Sequence, residues 1–136
     1  DVQSLTLRAE DWRTSQAAQE QAIAAQSAYE AYCRGEQLPA PAYYQRMCPH
    51  RNDLIAVYQL VQRMPMTVQQ ICTALQSKGM NRCRARMIAD IFSELNLLSF
   101  DVVTETLSKL PVTQKRELDE SESYRKIWAL AKEAAS

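Results

Sequence analysis

The stretch ARMIADIFSELNLLSF (residues 85–100) runs from a helical pattern into a strand pattern without a glycine between them. Apolar residues first recur at three- and four-residue steps, which predicts a helix. Its expected inner face carries Met87 or Ile88, Ile91, Phe92 and Leu95. The pattern then alternates, so Leu98, Phe100 and Val102 are predicted to point inward from a strand. The segment TETLSKL (104–110) is predicted to return as the partner strand, although no Gly or Asn marks the turn.

Two further helices are predicted before this stretch. The apolar face of the first consists of Leu54, Val57, Tyr58, Val61 and Met64, and Pro65 ends it. Thr67 and Gln70 fit a capping box, in which each side chain accepts a hydrogen bond from the backbone N–H of the other residue. The second helix is predicted to stop at Gly79, and Asn81 is predicted to cap the third.

Three helices followed by a two-stranded ribbon are typical of a winged helix-turn-helix. We therefore predict a mainly α protein in which residues 49–136 form a winged-helix domain, with three helices, a small β-hairpin and a C-terminal helix. Asp119 or Ser121 is predicted to cap that last helix. Its buried stripe is predicted to consist of Tyr124, Ile127, Trp128 and Ala131.

Residues 1–48 are predicted to form an N-terminal helical arm and a proline linker. SLTLR (4–8) has a short strand pattern, and the Ala/Gln/Glu-rich segment after it has high helix propensity. QLPAPAYYQRMCP (37–49) holds three of the five prolines and is predicted to be an extended linker. Its two tyrosines, Tyr43 and Tyr44, either dock onto the core or offer rings on which nucleic-acid bases could stack.

Composition limits the possible functions. Sixteen basic and sixteen acidic residues leave no net charge, which disfavours a freestanding nucleic-acid binder and requires any such contact to be local. The four cysteines form no C-x-x-C pair and there is one histidine, so a zinc site is not expected. Without a signal peptide or a membrane-spanning apolar run, we expect a cytoplasmic protein with reduced cysteines. Because the chain starts at Asp1 rather than at a methionine, we expect it to be a fragment.

The strongest local charge signal is a basic run without an intervening acid: Lys78, Arg82, Arg84 and Arg86. These side chains surround the start of the third helix, the part of a helix-turn-helix that contacts DNA. They could equally bind an acidic surface, either of a partner or of this chain. A third interpretation is a solvated helix face in which Arg86 pairs with Asp90, four residues further on. Cys83, which lies among these arginines, is interpreted as structural.

Three separated pieces of the sequence resemble one known family. PHRNDLIAVYQLV (49–61) looks like a Pro-Ser/Thr-Arg-x-x-Phe-x-x-x-Tyr-x-x-Leu opening. ARMIADIFSELNLLSF (85–100) is similar to a helix that ends in Phe-x-Glu-Leu, and KRELDESESYRK (115–126) resembles a closing Leu-x-x-Ser-x-x-Tyr segment. In this order they resemble the C-terminal domain of the RecJ family of single-strand-specific DNA exonucleases.

The resemblance implies an accessory domain without catalytic residues. RecJ-like catalysis rests on Asp/His clusters, including an Asp-His-His motif, that hold two Mn²⁺ or Mg²⁺ ions, so we expect no metal, cofactor or catalytic site in this chain. The family's winged-helix region is associated with recruiting partners, notably the acidic, aromatic-ended tail of single-stranded-DNA-binding protein. Candidate residues for contacting such a tail are Arg46, Arg51 and Arg63, together with Tyr58, which could line a groove or pack in the core.

Two function hypotheses follow. The first is a monomeric accessory module of a RecJ-like exonuclease that acts in DNA repair and recombination. It would bind single-stranded-DNA-binding protein or another repair factor, with contact to a single-stranded DNA backbone as a secondary role. The second is a freestanding winged-helix transcription regulator that binds DNA. The zero net charge and the closing Ser-x-x-Tyr segment favour the first, whereas dimerisation or sequence-specific duplex binding would favour the second.

Overall fold

The computed structural model describes residues 16, 19–20, 22–112 and 114–135. Within these residues the protein is mainly helical and has one small antiparallel sheet of three strands, which confirms the predicted mainly α class. The expected strand at residues 4–8 lies outside the described residues. No described helix is both long enough and apolar enough to cross a membrane.

The described part of the chain begins with three helices, and its short strands lie among the helices that follow. The first helix, α1, covers residues 22–33. The others are α2 (Pro41–Met47), α3 (Arg51–Arg63), α4 (Val68–Ala74), α5 (Arg82–Glu94) and α6 (Glu122–Ala135). The strands are β1 (Met66–Thr67), β2 (Leu98–Asp101) and β3 (Thr106–Lys109), and short 3₁₀ helices occupy Gln76–Lys78 and Leu118–Glu120.

The sheet has the order β1-β3-β2, with β3 in the middle. Leu107 of β3 faces Met66 on one side and Phe100 on the other. The ribbon of β2 and β3 directly after α5 was predicted and is confirmed. The pairing of β1 with β3 was not predicted, because a strand of two residues leaves no alternation in the sequence.

The turn between β2 and β3 contradicts the prediction for Val102. This side chain is 62% exposed rather than inward-pointing. The strand ends at Asp101, since the Asp101 carboxylate accepts hydrogen bonds from the backbone N–H groups of Val103 and Thr104. Glu105 then adopts the left-handed conformation, with φ of 54°, that glycine would adopt at lower cost.

The predicted caps of α4 and α5 are confirmed. Thr67 and Gln70 exchange the two hydrogen bonds of a capping box, at 2.9 and 3.1 Å. The predicted stop of α4 at Gly79 is wrong, because α4 ends at Ala74 and a 3₁₀ helix, Gln76–Lys78, follows it. Gly79, with φ of 82°, ends that 3₁₀ helix. The side chain of Asn81 accepts a hydrogen bond of 2.8 Å from the backbone N–H of Arg84 and so caps α5.

The predicted extended linker is wrong, because Pro41–Met47 is the helix α2. Proline is compatible with the first helical turn, since its missing N–H has no intrahelical acceptor there and its ring fixes a helical φ. Tyr44 and Met47 are buried, and the Tyr44 hydroxyl accepts a hydrogen bond of 3.2 Å from the backbone N–H of Leu38. Tyr44 therefore docks onto the core.

Helix α5 is the centre of the hydrophobic core. Met87, Ile88 and Ile91 are fully buried, so both candidates for the start of its inner face point inward. The core also includes residues from before the predicted boundary at residue 48, among them Ala28, Tyr29, Leu38, Tyr44 and Met47. In α6, Ile127 and Ala131 are buried as predicted, whereas Tyr124 and Trp128 are half-buried.

Candidate partner-binding groove and arginine cluster

An open groove of about 980 Å³ runs between α3, the end of α5 and the segment that leads into α6. We call it the α3 groove. It is lined by Arg51, Leu54, Ile55, Tyr58 and Gln59 on α3, by Phe92 and Leu97 at and beyond the end of α5, and by residues 115–119 and Tyr124.

The floor of the α3 groove is apolar. Leu54 and Phe92 are buried, and the ring of Tyr58 lies 5.6 Å from the ring of Phe92. Tyr58 is half-buried, so it packs against the core and also faces the groove. Ile55 is 43% exposed. This arrangement can bury the apolar side chain of a ligand.

Glu94, at the end of α5, holds the wall of the groove opposite α3. Its carboxylate accepts hydrogen bonds from the Ser121 hydroxyl at 3.1 Å, from the Ser123 backbone N–H at 3.0 Å and from the Ser123 hydroxyl. Burial acts to raise the pKa of Glu94, but these hydrogen bonds outweigh it and lower the pKa below its ordinary value. Ser121 also accepts a hydrogen bond of 3.1 Å from the Tyr124 backbone N–H, so Ser121 rather than Asp119 caps α6.

The rim of the groove carries charges of both signs. The Nζ of Lys115 lies 3.9 Å from Oε1 of Glu117, and the Nε of Arg116 lies 3.5 Å from Oε2 of Glu120. Arg51 is exposed, and it forms no ion pair with any described residue. Arg51 is therefore the rim cation that is most available to a carboxylate of a ligand.

The four residues proposed for partner contact do not lie together. Arg51 and Tyr58 line the α3 groove. Arg46 lies in the last turn of α2, where its guanidinium is 4.5 Å from the centre of the Tyr43 ring. Arg63 lies in the last turn of α3, at the other end of that helix from Arg51.

Sequence reasoning missed the contribution of Lys115, Arg116 and Leu118 to the groove. These residues precede α6 in a stretch that was interpreted only for the cap of α6 and for the family resemblance. The available signal was their place in the third RecJ-like piece, next to its closing Ser-x-x-Tyr segment.

Arg86 is held in an acidic pocket between α1, α5 and the ribbon. Its Nε lies 3.4 Å from Asp90 and its Nη1 lies 3.7 Å from Glu105, which also accepts a hydrogen bond from the Tyr29 hydroxyl. Its guanidinium lies 4.9 Å from the centre of the Phe100 ring. The predicted pair with Asp90 is confirmed, but the Arg86 side chain is only 13% exposed and does not form a solvated helix face.

Helix α1 lies over the arginine-bearing face of α5. The guanidinium of Arg82 stacks 4.3 Å from the centre of the Tyr29 ring, and its Nη1 donates a hydrogen bond of 3.2 Å to Gln26. The Tyr32 hydroxyl donates a hydrogen bond of 2.6 Å to Asp90. The face of α5 that bears Arg82 and Arg86, two of the four cations predicted to contact DNA, is thus covered by α1.

Burial governs the ionisable groups beneath α1. It raises the pKa of Asp90 above its ordinary value, although the Tyr32 hydroxyl and Arg86 act in the opposite direction. It also raises the pKa of the Cys83 thiol to about 12. Cys83 is therefore a neutral thiol at pH 7 and a poor nucleophile, which agrees with its structural interpretation.

Arg84 is held at the start of α5 by two backbone carbonyls. Its Nη1 donates a hydrogen bond of 2.8 Å to the carbonyl oxygen of Gly79, and its Nη2 donates to that of Arg46. Lys78, which precedes Gly79, is exposed. Of the four cations proposed for DNA contact, Lys78 is exposed, and Arg82, Arg84 and Arg86 are half-buried.

In the described part of the chain, no cluster of three or more His, Cys, Asp or Glu side chains could hold a metal ion. His50, the single histidine, packs edge-on against Trp128 with the ring centres 5.3 Å apart. Comparisons with protein-family models, with curated proteins and with solved structures find no match to this chain.

Proposed function

We propose that the chain is a non-catalytic winged-helix accessory module of a RecJ-like exonuclease, and that it recruits the nuclease by binding a partner protein in the α3 groove. The order α3, β1, α4, α5, β2, β3, with the first strand paired to the last, supports a winged helix. In this proposal the Mn²⁺- or Mg²⁺-dependent hydrolysis takes place in another part of the parent protein, because the described residues offer no cluster of ligands for two ions.

One observation carries the proposal: the three pieces that resemble the RecJ family meet at the α3 groove. Every residue that lines the groove falls within residues 49–61, 85–100 or 115–126. The pieces are separated in the chain but adjacent in space. Their convergence supports a shared role in one binding surface.

The groove suits a short segment that has an aromatic side chain and a carboxylate. The ring can be buried against Tyr58 and Phe92, while the carboxylate pairs with Arg51. The acidic, aromatic-ended tail of single-stranded-DNA-binding protein has this chemistry. Another repair factor with such a segment would bind in the same way.

The competing function is a freestanding winged-helix regulator. A helix-turn-helix regulator places the start of its recognition helix in the major groove of DNA. In this protein Tyr29 stacks on Arg82, and Arg86 is engaged by Asp90 and Glu105. This packing favours partner recruitment over base reading by α5.

Fluorescence anisotropy with a labelled acidic peptide that ends in phenylalanine tests the proposal. We expect micromolar binding that Arg51→Glu weakens at least tenfold, because a hydrogen bond between charged groups contributes about 1.5–3 kcal/mol. Arg63→Glu is the matched control, since it makes the same charge reversal about 18 Å away along α3. Equal losses in both variants would contradict the proposal. So would tight duplex binding that is lost in Arg82→Ala and Arg84→Ala.

The coding sequence upstream of Asp1 tests the parentage separately. A preceding domain with an Asp-His-His motif would support a RecJ-like parent. Its absence would reject a RecJ-like parent. It would not affect the conclusion from the peptide-binding experiment.

A further inference from the structure

We infer that Arg46, Lys78 and Arg84 form a second binding site, which takes the phosphodiester backbone of single-stranded DNA without reading its sequence. We call these three side chains the cationic patch. The patch is distinct from the α3 groove and does not rest on the function proposed for that groove.

Arg84 brings the members of the patch together. Its guanidinium bonds the carbonyl oxygens of both Gly79 and Arg46, so the backbones at these two positions lie within reach of a single guanidinium, although 38 residues separate Arg46 from Arg84. Lys78 is the residue before Gly79. The end of α2, the turn before α5 and the first turn of α5 therefore meet at one place on the surface.

The charge of the patch is not neutralised by the protein. Within the described residues, Arg46, Lys78 and Arg84 form no ion pair. Two of the five N–H groups of the Arg84 guanidinium go to carbonyl oxygens, which leaves its positive charge uncompensated. By contrast, Arg86 on the same helix faces two carboxylates. Adjacent cations without counter-carboxylates attract a polyanion such as a nucleic-acid backbone.

Two observations favour a single strand over a duplex. Because α1 covers the face of α5 that bears Arg82 and Arg86, α5 cannot place that face in a major groove to read base edges. The guanidinium of Arg46 lies over the Tyr43 ring, 4.5 Å from its centre, so the patch includes a cation–aromatic surface. An unpaired base can stack on such a surface, whereas the bases of a duplex are already stacked on one another.

The test measures the binding of a labelled oligodeoxythymidylate to the full chain by fluorescence anisotropy over a range of salt concentrations. Contact with three phosphates predicts a slope of log affinity against log salt of about −2. The double variant Arg46→Ala/Lys78→Ala should reduce the slope to about −0.7. Both substitutions retain the backbone carbonyls that hold Arg84, so the helix ends should stay in place.

The double variant Arg125→Ala/Lys126→Ala is the control, because it removes two exposed cations from α6. It should leave the slope unchanged. Tyr43→Leu should weaken binding at every salt concentration without changing the slope, and Tyr43→Phe should bind like the wild type. The inference fails if the wild-type chain does not bind the oligonucleotide at low salt. It also fails if the control loses as much slope as the patch variant, or if a duplex binds more tightly than the single strand.

Discussion

At the scale of single residues, Glu94 connects the core helix α5 to the wall of the α3 groove. Its pKa is lowered in the folded protein, so the ionised carboxylate contributes stability above the unfolded pKa of about 4.3. This contribution is lost as the pH falls through the folded pKa. Glu94→Gln should lower the free energy of unfolding by about 1 kcal/mol at neutral pH, a value reduced for the exposure of the group. Urea denaturation measures the change.

The pH dependence separates this electrostatic role from simple packing. The difference between Glu94→Gln and the wild type should shrink as the pH falls below about 4, since the wild-type carboxyl is then protonated as well. Glu20→Gln, at an exposed position near α1, is the control and should match the wild type at both pH values. A difference that is as large in acid as at neutral pH would refute the electrostatic explanation.

At the scale of elements, the starts of α4 and α5 could be predicted because capping chemistry is local. Thr67, Gln70 and Asn81 satisfy backbone groups no more than three residues away, so the sequence window contains both partners of each hydrogen bond. The position of the turn after β2 was not predicted, because the turn is built from residues that do not usually mark one. The side chain of Asp101 and the left-handed Glu105 take the place of the glycine or asparagine that is common in hairpin turns.

Helix α2 could not be read from its own residues. Its prolines suggest an extended segment, and its burial comes from α6, which lies some 80 residues later in the chain. The residues of the candidate sites also differ in whether the sequence alone could place them. Tyr58 follows from the helical periodicity of α3, and Arg51 was proposed from the family resemblance. The position of Arg46 next to Arg84 depends on a contact between residues 38 apart in the chain. No local pattern predicts such a contact.

A half-buried hydrogen bond between Tyr32 and Asp90 contributes to the attachment of α1 to α5. Tyr32→Phe removes the donor from a half-buried carboxylate, so we expect a loss of about 1 kcal/mol in the free energy of unfolding. The pKa of Asp90 should rise further, because the Tyr32 hydroxyl acts to lower it. Chemical denaturation measures the first effect, and NMR titration of the carboxyl group measures the second.

Tyr124→Phe provides the matched control for this experiment. The Tyr124 hydroxyl donates no hydrogen bond to any described residue, so its removal should leave stability unchanged. If Tyr32→Phe is as stable as Tyr124→Phe, the Tyr32–Asp90 hydrogen bond does not hold α1 in place.

At the scale of the whole molecule, the two proposed surfaces lie toward opposite ends of α5. Phe92 contributes to the α3 groove and Arg84 to the cationic patch, and about 12 Å of helix separates these residues. A peptide and a nucleic-acid strand could therefore bind together without competing for the same side chains. Under the proposed function, such a module would hold a partner protein next to a single strand.

The extent of the folding unit can also be tested at this scale. Residues 49–136 contain every element of the proposed winged helix, but α6 packs against α2, and the core includes Leu38, Tyr44 and Met47. Losing a large buried side chain costs about 2–5 kcal/mol, whereas a whole domain is stable by about 5–15 kcal/mol. We therefore expect a fragment of residues 49–136 to lose cooperative unfolding.

A fragment of residues 34–136 distinguishes the contribution of α2 from that of α1. It retains α2 and should unfold cooperatively in urea, at a lower denaturant concentration than the full chain, because Ala28 and Tyr29 no longer cover α5. The fluorescence of Trp128, which is half-buried in α6, reports the transition in both fragments. If residues 49–136 unfold in a single sharp transition at the midpoint of the full chain, the arm is an appendage. In that case the packing of α2 on α6 contributes nothing to the stability of the winged helix.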